Sequence, residues 1–210
     1  STLLVNPGKT HIVTSRVEHP AIKVLCEHLA QKGYRVTMVG VDSDGRLDMD
    51  EYEASLTPDT AIASIMWANN ETGVVFPVEE AARLARERGI VFHTDAVQAV
   101  GKIPIDMKGN EIDMLSLSGH KLHAPKGIGV LYVRKGTKFS PFLIGGHQEK
   151  GRRGGTENVA GIVGLGKACE LAAKNMEKEN TSVRRLRDKL EKELLRKIPQ
   201  SRVNGDTENR

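Results

Sequence analysis

The sequence predicts an α/β fold, a mainly parallel sheet flanked by helices, and three observations lead there. Short apolar runs rich in β-branched residues alternate with amphipathic stretches of helical spacing. Glycine or proline marks many of the junctions between them. Several of the runs end in polar, chemically useful residues, as strands do in parallel sheets, whose ligands collect beyond the carboxyl ends.

Taken in order, residues 1–9 carry a turn at Asn6-Pro7-Gly8 and read as the tail of an earlier element. Residues 10–17 are β-branched and read as a strand, closed by Glu18-His19-Pro20. A helix follows over 21–32, with Ile22, Leu25, Cys26 and Leu29 forming one buried face. Gly33 ends it, and 34–41 is the next strand. Asp44-Gly45 turns the chain, and Asp48 with Glu51 has the form of a capping box for a helix through Leu56. Residues 60–67 make a third strand, followed by Asn69-Asn70-Glu71-Thr72-Gly73. Pro77 opens a helix over 78–88 with Val78, Ala81, Ala82 and Ala85 inward, and Gly89 stops it. Residues 90–94 form a fourth strand that ends at Asp95, and Gln98 lies one turn into the helix expected there.

Residues 113–117 are the fifth strand, and 127–133 and 139–144 read as two more. The glycine-rich stretch 145–156 is either a flexible linker or a cradle for phosphate or substrate. Its glycines free backbone N–H groups, and Thr156 offers a hydroxyl. A long helix over 158–177 places Ile162, Leu165, Cys169, Ala172 and Met176 on a buried stripe. A second, over 183–198, turns Val183, Leu186, Leu190 and Leu194 inward. Residues 201–210 then stop without a cap or a closing strand.

A chain of 210 residues can build one good-sized core, or one domain and part of another. Net charge is +4, and the basic excess gathers in 150–153 and in the helix over 183–197, neither interleaved with aromatics. Nucleic acid is therefore not the expected partner, and the helix charge reads as a solvated face. No apolar run matches a membrane span and no signal-peptide pattern opens the chain. With Cys26 and Cys169 as the cysteines, no disulfide framework is implied, and a reducing cytoplasm is the expected location.

The most informative stretch is Ser116-Leu117-Ser118-Gly119-His120-Lys121, a strand that ends in a serine, a glycine, a histidine and a lysine. A lysine in a sheltered pocket becomes a nucleophile or base, and Schiff-base chemistry with an aldehyde such as pyridoxal phosphate needs one. Such a site also needs a carboxylate for the pyridine nitrogen, a group over the ring and donors for the phosphate. Asp95, Gln98, His19, Ser118 and His120 fit those needs. The plainer alternatives are a surface lysine at a strand end, an aspartate that caps the next helix, and a structural His19 before Pro20. A zinc site from His120 and His123 with Asp95 or His93 lacks the usual ligand spacings. No Gly-x-x-x-x-Gly-Lys-Ser/Thr nucleotide loop is present.

The ordered set His19-Pro20, Asn69-Asn70-Glu71-Thr72-Gly73, His93-Thr94-Asp95-Ala96-Val97-Gln98, Ser118-Gly119-His120-Lys121, Pro125-Lys126-Gly127 and residues 152–156 resembles the nitrogen-fixation-type cysteine desulfurases. These form a class-V aminotransferase branch of the fold type I pyridoxal phosphate enzymes. The resemblance covers essentially the whole chain and implies the large domain of that transferase fold. It implies that Lys121 forms the Schiff base with pyridoxal 5'-phosphate and later shuttles the substrate Cα proton. Asp95 would pair with the pyridinium nitrogen, Gln98 would bond the phenolic oxygen, and His19 would stack on the ring and assist proton transfer. Asn70 would contact cofactor and substrate carboxylate. Ser118 and His120 would bind the phosphate, joined by Thr156 from the neighbouring subunit of a homodimer. The implied reaction converts L-cysteine to L-alanine, leaving a persulfide whose sulfur passes to an iron–sulfur scaffold protein.

The same resemblance implies an internal piece lacking both termini. Residues 1–176 would be the pyridoxal phosphate-binding large domain, incomplete at its start, and 177–210 the start of a truncated small domain. Cys26 and Cys169, both read as core, are not the expected sulfur-accepting nucleophile, so the piece alone is expected to be inactive. Alternatives of the same fold are a selenocysteine lyase, another class-V aminotransferase, or a non-catalytic binding fragment.

Overall fold

The computed structural model describes residues 2–210, so Ser1, which begins the expected opening stretch, lies outside the described residues. Helix α1 (Thr2–Val5) runs into the turn at Asn6-Pro7-Gly8, where Lys9 N donates to Asn6 O. Then follow β1 (His11–Ser15), α2 (Pro20–Gln31), β2 (Arg35–Val39), α3 (Met49–Ser55), β3 (Thr60–Ser64), α4 (Val78–Glu87), β4 (Val91–Asp95) and β5 (Met114–Ser118). A turn of 3-10 helix (Gly119–Leu122) leads to β6 (Gly129–Val133), the short α5 (Gln148–Gly151) and the long α6 (Val159–Lys178). A π-helical turn (Glu179–Val183) joins α6 to α7 (Arg184–Lys197).

The strands form one sheet in the order β2-β1-β3-β4-β5-β6. The first five are parallel, and β6 returns antiparallel beside β5. From β1 the chain passes to β2 on one side and to β3 on the other. The strand order therefore reverses between β1 and β3, and crevices at such reversals are where open α/β sheets take ligands. The core beneath is built from Val13, Phe92, Ile65 and the alanine face of α4, with Tyr52 fully buried. The Tyr52 hydroxyl donates to Ala81 O (2.9 Å), which seams α3 to α4.

Several expectations need correction. Residues 139–144 form no strand: Phe142 is 87% and Ile144 91% exposed, and the outer edge of β6 stays unpaired among the described residues. Residues 96–100 make hydrogen-bonded turns and not a helix, with Ala99 N and Val100 N both donating to Ala96 O. Asp48 caps α3 by accepting from Glu51 N, but Glu51 does not complete the box, because its carboxylate accepts from Gly40 N instead. On α2, Cys26 is buried whereas Leu25 is exposed. On α6 the buried stripe is Gly161, Leu165 and Ala168, leaving Cys169 exposed. Cys169 is one residue past Ala168, about 100° around the helix, which carries it off the buried face. The apolar positions of α7 keep their helical spacing but nothing among the described residues covers them, and Leu186 and Leu190 are exposed.

The last ten residues do not simply stop. Asp206 is buried and takes a 2.7 Å ion pair from Arg46 Nε. Val75 N donates to Asn209 O (2.8 Å), and Arg210 grips both oxygens of Glu191 on α7 (2.6 and 2.7 Å). The segment thus straps α7 to the loop before α4.

Candidate active site

Because β1, β3, β4 and β5 run parallel, their carboxyl ends share one edge of the sheet, and the candidate residues follow from there. The β1 end runs into Glu18 and His19. His19 sits extended before Pro20, as residues ahead of proline do, and its Nδ1 accepts from Ala21 N (3.2 Å). It therefore caps α2 while its exposed ring faces outward.

The β3 end continues as extended chain to Trp67, whose N donates to Asp95 O (2.9 Å). Asn69 is buried and builds the following turn, accepting from Glu71 N and Thr72 N through Oδ1. Its Nδ2 donates to Val17 O (3.1 Å), which ties this turn back to the β1 end. Asn70 is thereby presented next to it. Asn70 and Gln98 line one cavity of about 370 Å³, together with Lys102 and Arg210.

At the β4 end, Asp95 lies opposite Ser116 of β5 in register. Its Oδ1 accepts from Val97 N (3.0 Å), so the backbone fixes the carboxylate and Oδ2 stays open among the described residues. Two residues earlier and on the same face, His93 is buried with Nδ1 against Ser64 Oγ and Nε2 against Ser116 Oγ, both at 2.8 Å. Burial holds His93 down at about 4, so the ring is neutral at neutral pH. Its two nitrogens are both engaged by serines, which takes it out of the zinc set considered above.

At the β5 end, Ser118 Oγ lies 2.7 Å from His120 Nδ1, and Lys121 follows in the 3-10 turn. That turn is pinned where Gly119 N donates to Ile128 O, and a Cβ on Gly119 would lie 2.8 Å from the Ile128 side chain. Lys121 is exposed and, among the described residues, has no ion pair, so this chain alone does not supply the sheltering expected of it. It lies at one end of a groove of about 580 Å³ floored by Leu122, Ala168 and Ala172.

The structure thus brings His19, Asn70, Asp95, Gln98, Ser118, His120 and Lys121 to one edge. Thr156 stays apart, exposed in the loop before α6 and without a hydrogen bond to any of them among the described residues. That loop is not slack: Gly154 N donates to Leu143 O (2.8 Å), and a Cβ on Gly154 would lie 2.8 Å from Gly145 Cα. Cys26 behaves as core, its thiol pushed up to about 11 by burial and by the nearby charges of Glu18 and Glu27.

Two residues escaped the sequence reading. Glu18 is buried and spans from the β1 end to Met66 N just beyond β3, and a charged residue placed three positions after an all-buried strand was the available signal. His93 was weighed solely as a metal ligand, although its even spacing from Asp95 puts it on the same face.

The donor set suits a pyridoxal group: an anchored carboxylate with one oxygen open, a free amine on the adjacent strand end, and a hydroxyl–imidazole pair beside that amine. A family model described as aminotransferase class-V matches residues 3–210. The cysteine desulfurase of Gluconacetobacter diazotrophicus is 62% identical over 211 residues, covering 100% of this chain and 53% of that protein. The cysteine desulfurase NifS of Azotobacter vinelandii is 59% identical, covering 100% of the chain and 52% of the relative. Among solved structures, a NifS-like protein superposes with a TM-score of 0.89 at 39% identity, over 93% of this chain and 54% of that one. DndA from Streptomyces lividans superposes equally well, with a TM-score of 0.89 at 37% identity, over 96% and 57%. The chain spans about half the length of the curated relatives it matches.

Proposed function

The chain belongs to the class-V aminotransferase family, and on that premise we propose that it supplies the cofactor-binding half of a pyridoxal phosphate-dependent cysteine desulfurase. The observation that carries this reading is the shared sheet edge: Asp95 ends β4 and Lys121 follows the adjacent parallel β5, with Asn70 beyond β3 on the same side of the strand-order reversal and His19 beyond β1 across it. Bound there, pyridoxal phosphate supplies an electron sink that lets the Cα–H bond of an amino acid break.

The chain's own residues divide the remaining work. The Lys121 amine carries the cofactor and moves the Cα proton. Asp95, held through Oδ1 by Val97 N, offers Oδ2 to the pyridinium nitrogen. Gln98 would donate to the phenolic oxygen, and His19 would stack on the ring and assist proton transfer. Asn70 orients the substrate carboxylate. Ser118 and His120 hold the phosphate, with Thr156 contributed across a homodimer interface. Residues 1–176 form the large domain and 177–210 begin the small one, with the π-helical turn at Glu179–Val183 near the boundary.

The substrate is L-cysteine, and the sulfur passes as a persulfide to an iron–sulfur scaffold protein in the cytoplasm. Among the described residues no helix is long and apolar enough to cross a membrane. The test uses the full-length protein, loaded with pyridoxal phosphate and given L-cysteine with a thiol reductant. L-Alanine and sulfide should appear in equal amounts over many turnovers. A protein that binds the cofactor yet yields no alanine would refute the reading.

A further inference from the structure

A buried carboxyl is among the side chains that bridge the reversal of strand order between β1 and β3. Glu18, 5% exposed, follows β1 and places its Oε1 against Ser15 Oγ (2.7 Å) and Met66 N (2.8 Å). The next residue of the extended chain beyond β3, Trp67, donates its N to Asp95 O on the opposite side. The Glu18 carboxyl and the Asp95 backbone carbonyl thus clasp consecutive residues of the chain leaving β3 from its two flanks. Oε2 of Glu18 is buried with no partner, and among the described residues no cation pairs with this carboxyl. The titratable groups that bear on it are Asp95 on β4 and Cys26 on α2, neither of which is a cation at neutral pH. The neighbouring His19 turns its Nδ1 to Ala21 N.

A buried carboxylate without a cation and with a second carboxylate close by is the arrangement in which one of the two keeps its proton. Asp95 is only half-buried and its Oδ1 has a backbone donor, whereas no donor reaches the buried Oε2 of Glu18. Glu18 is the better buried of the two. We infer that Glu18 is a positioning residue that keeps its proton in the cofactor-free protein until the pH nears neutrality, locking the β1 end to the chain just beyond β3 and leaving Asp95 the one anion at the crevice below that point. Burial, with Asp95 adding to it, indeed raises Glu18 from 4.5 to about 7. In the cofactor reading proposed above, on which its role rests, this keeps the pyridinium nitrogen facing a single fixed carboxylate. It also makes the β1–β3 lock sensitive to pH close to neutrality.

The experiment measures unfolding of the cofactor-free full-length protein against pH, for wild type, Glu18→Gln, Asp95→Asn and the double variant. Glutamine reproduces the neutral acid in shape and polarity, so wild type should lose stability relative to Glu18→Gln as pH rises from 4.5 to about 7. The folding equilibrium should change on the order of a hundredfold across that window. In the Asp95→Asn background the same loss should move to lower pH. Should Glu18→Gln fail to fold, Ser15→Ala serves instead, because it removes a donor to Oε1 and should move the wild-type transition upward. A wild-type-to-Gln difference that is the same at every pH marks a merely structural residue and overturns the inference. So does a transition indifferent to Asp95→Asn or, in the fallback, to Ser15→Ala. These readouts involve no cofactor. A protein that titrates as described but never takes up pyridoxal phosphate would refute the proposed function and leave the Glu18–Asp95 coupling standing.

Discussion

His93 and His11 are single residues with opposite careers in the sequence. His93 stands two places from Asp95 and invites a functional reading, whereas His11 opens a strand and invites none. In the structure both are buried and neutral: His11 lies 2.8 Å from both Thr60 Oγ1 and Thr37 Oγ1, as His93 lies between its two serines. Burial lowers each from 6.5 to about 4. Unfolding exposes rings that protonate below 6.5, so the unfolded chain binds more protons between about 4 and 6.5. The stability each contributes is complete above that window and lost as pH falls through it. Glu18 runs the other way, its contribution present below 4.5 and lost as pH rises to about 7. Two histidines outweigh one glutamate, so these three groups should give a stability that climbs with pH toward 6.5 and then slackens. The slope per net proton is about 1.4 kcal/mol per pH unit. Urea midpoints across this range check it, and a midpoint that rises on acidification would contradict the assignment. Cys169 shows the limit of reading burial from spacing, since one residue of phase decides which face it occupies.

Elements that bury a whole face were legible, and those that wait on a neighbour were not. The strands β1, β3 and β4 and the alanine face of α4 carry their burial in composition, and each formed within three residues of its expected bounds. Residues 139–144 have strand composition but pair with no strand, and the apolar positions of α7 find no opposing layer among the described residues. Apolar spacing states what a segment can bury, not whether something arrives to cover it. The 145–156 loop combines both lessons. Its glycines permit flexibility, yet Gly154 and Gly145 bring the two arms into backbone contact too close for a side chain. Gly154→Ala should force those arms apart at a cost of about 1–3 kcal/mol. Because Thr156 lies two residues on, the variant should weaken cofactor retention in the full-length protein, measured by dialysis, while the thermal unfolding of the sheet stays cooperative. Unchanged retention would separate this loop from the site.

For the molecule as a whole, the chemistry of the edge was readable because parallel strands deliver their ends to one side whatever the loops do. Asp95, Lys121 and His19 needed no more than that. The sheltering of Lys121 was not readable, since it depends on groups beyond the strand ends, and in this chain the amine stands open to solvent. The exposed Phe142, Ile144, Leu186 and Leu190 are further surface of the kind that other protein covers, in keeping with relatives about twice this length. The central claim is that Lys121 carries the pyridoxal group. The full-length protein is loaded with pyridoxal phosphate, reduced with borohydride to fix the imine, digested and mapped by mass spectrometry. The account predicts a pyridoxyl-phosphate mass on the peptide containing Lys121, lost in Lys121→Ala. Stoichiometric label on a different lysine, with Lys121 unmodified, would contradict it.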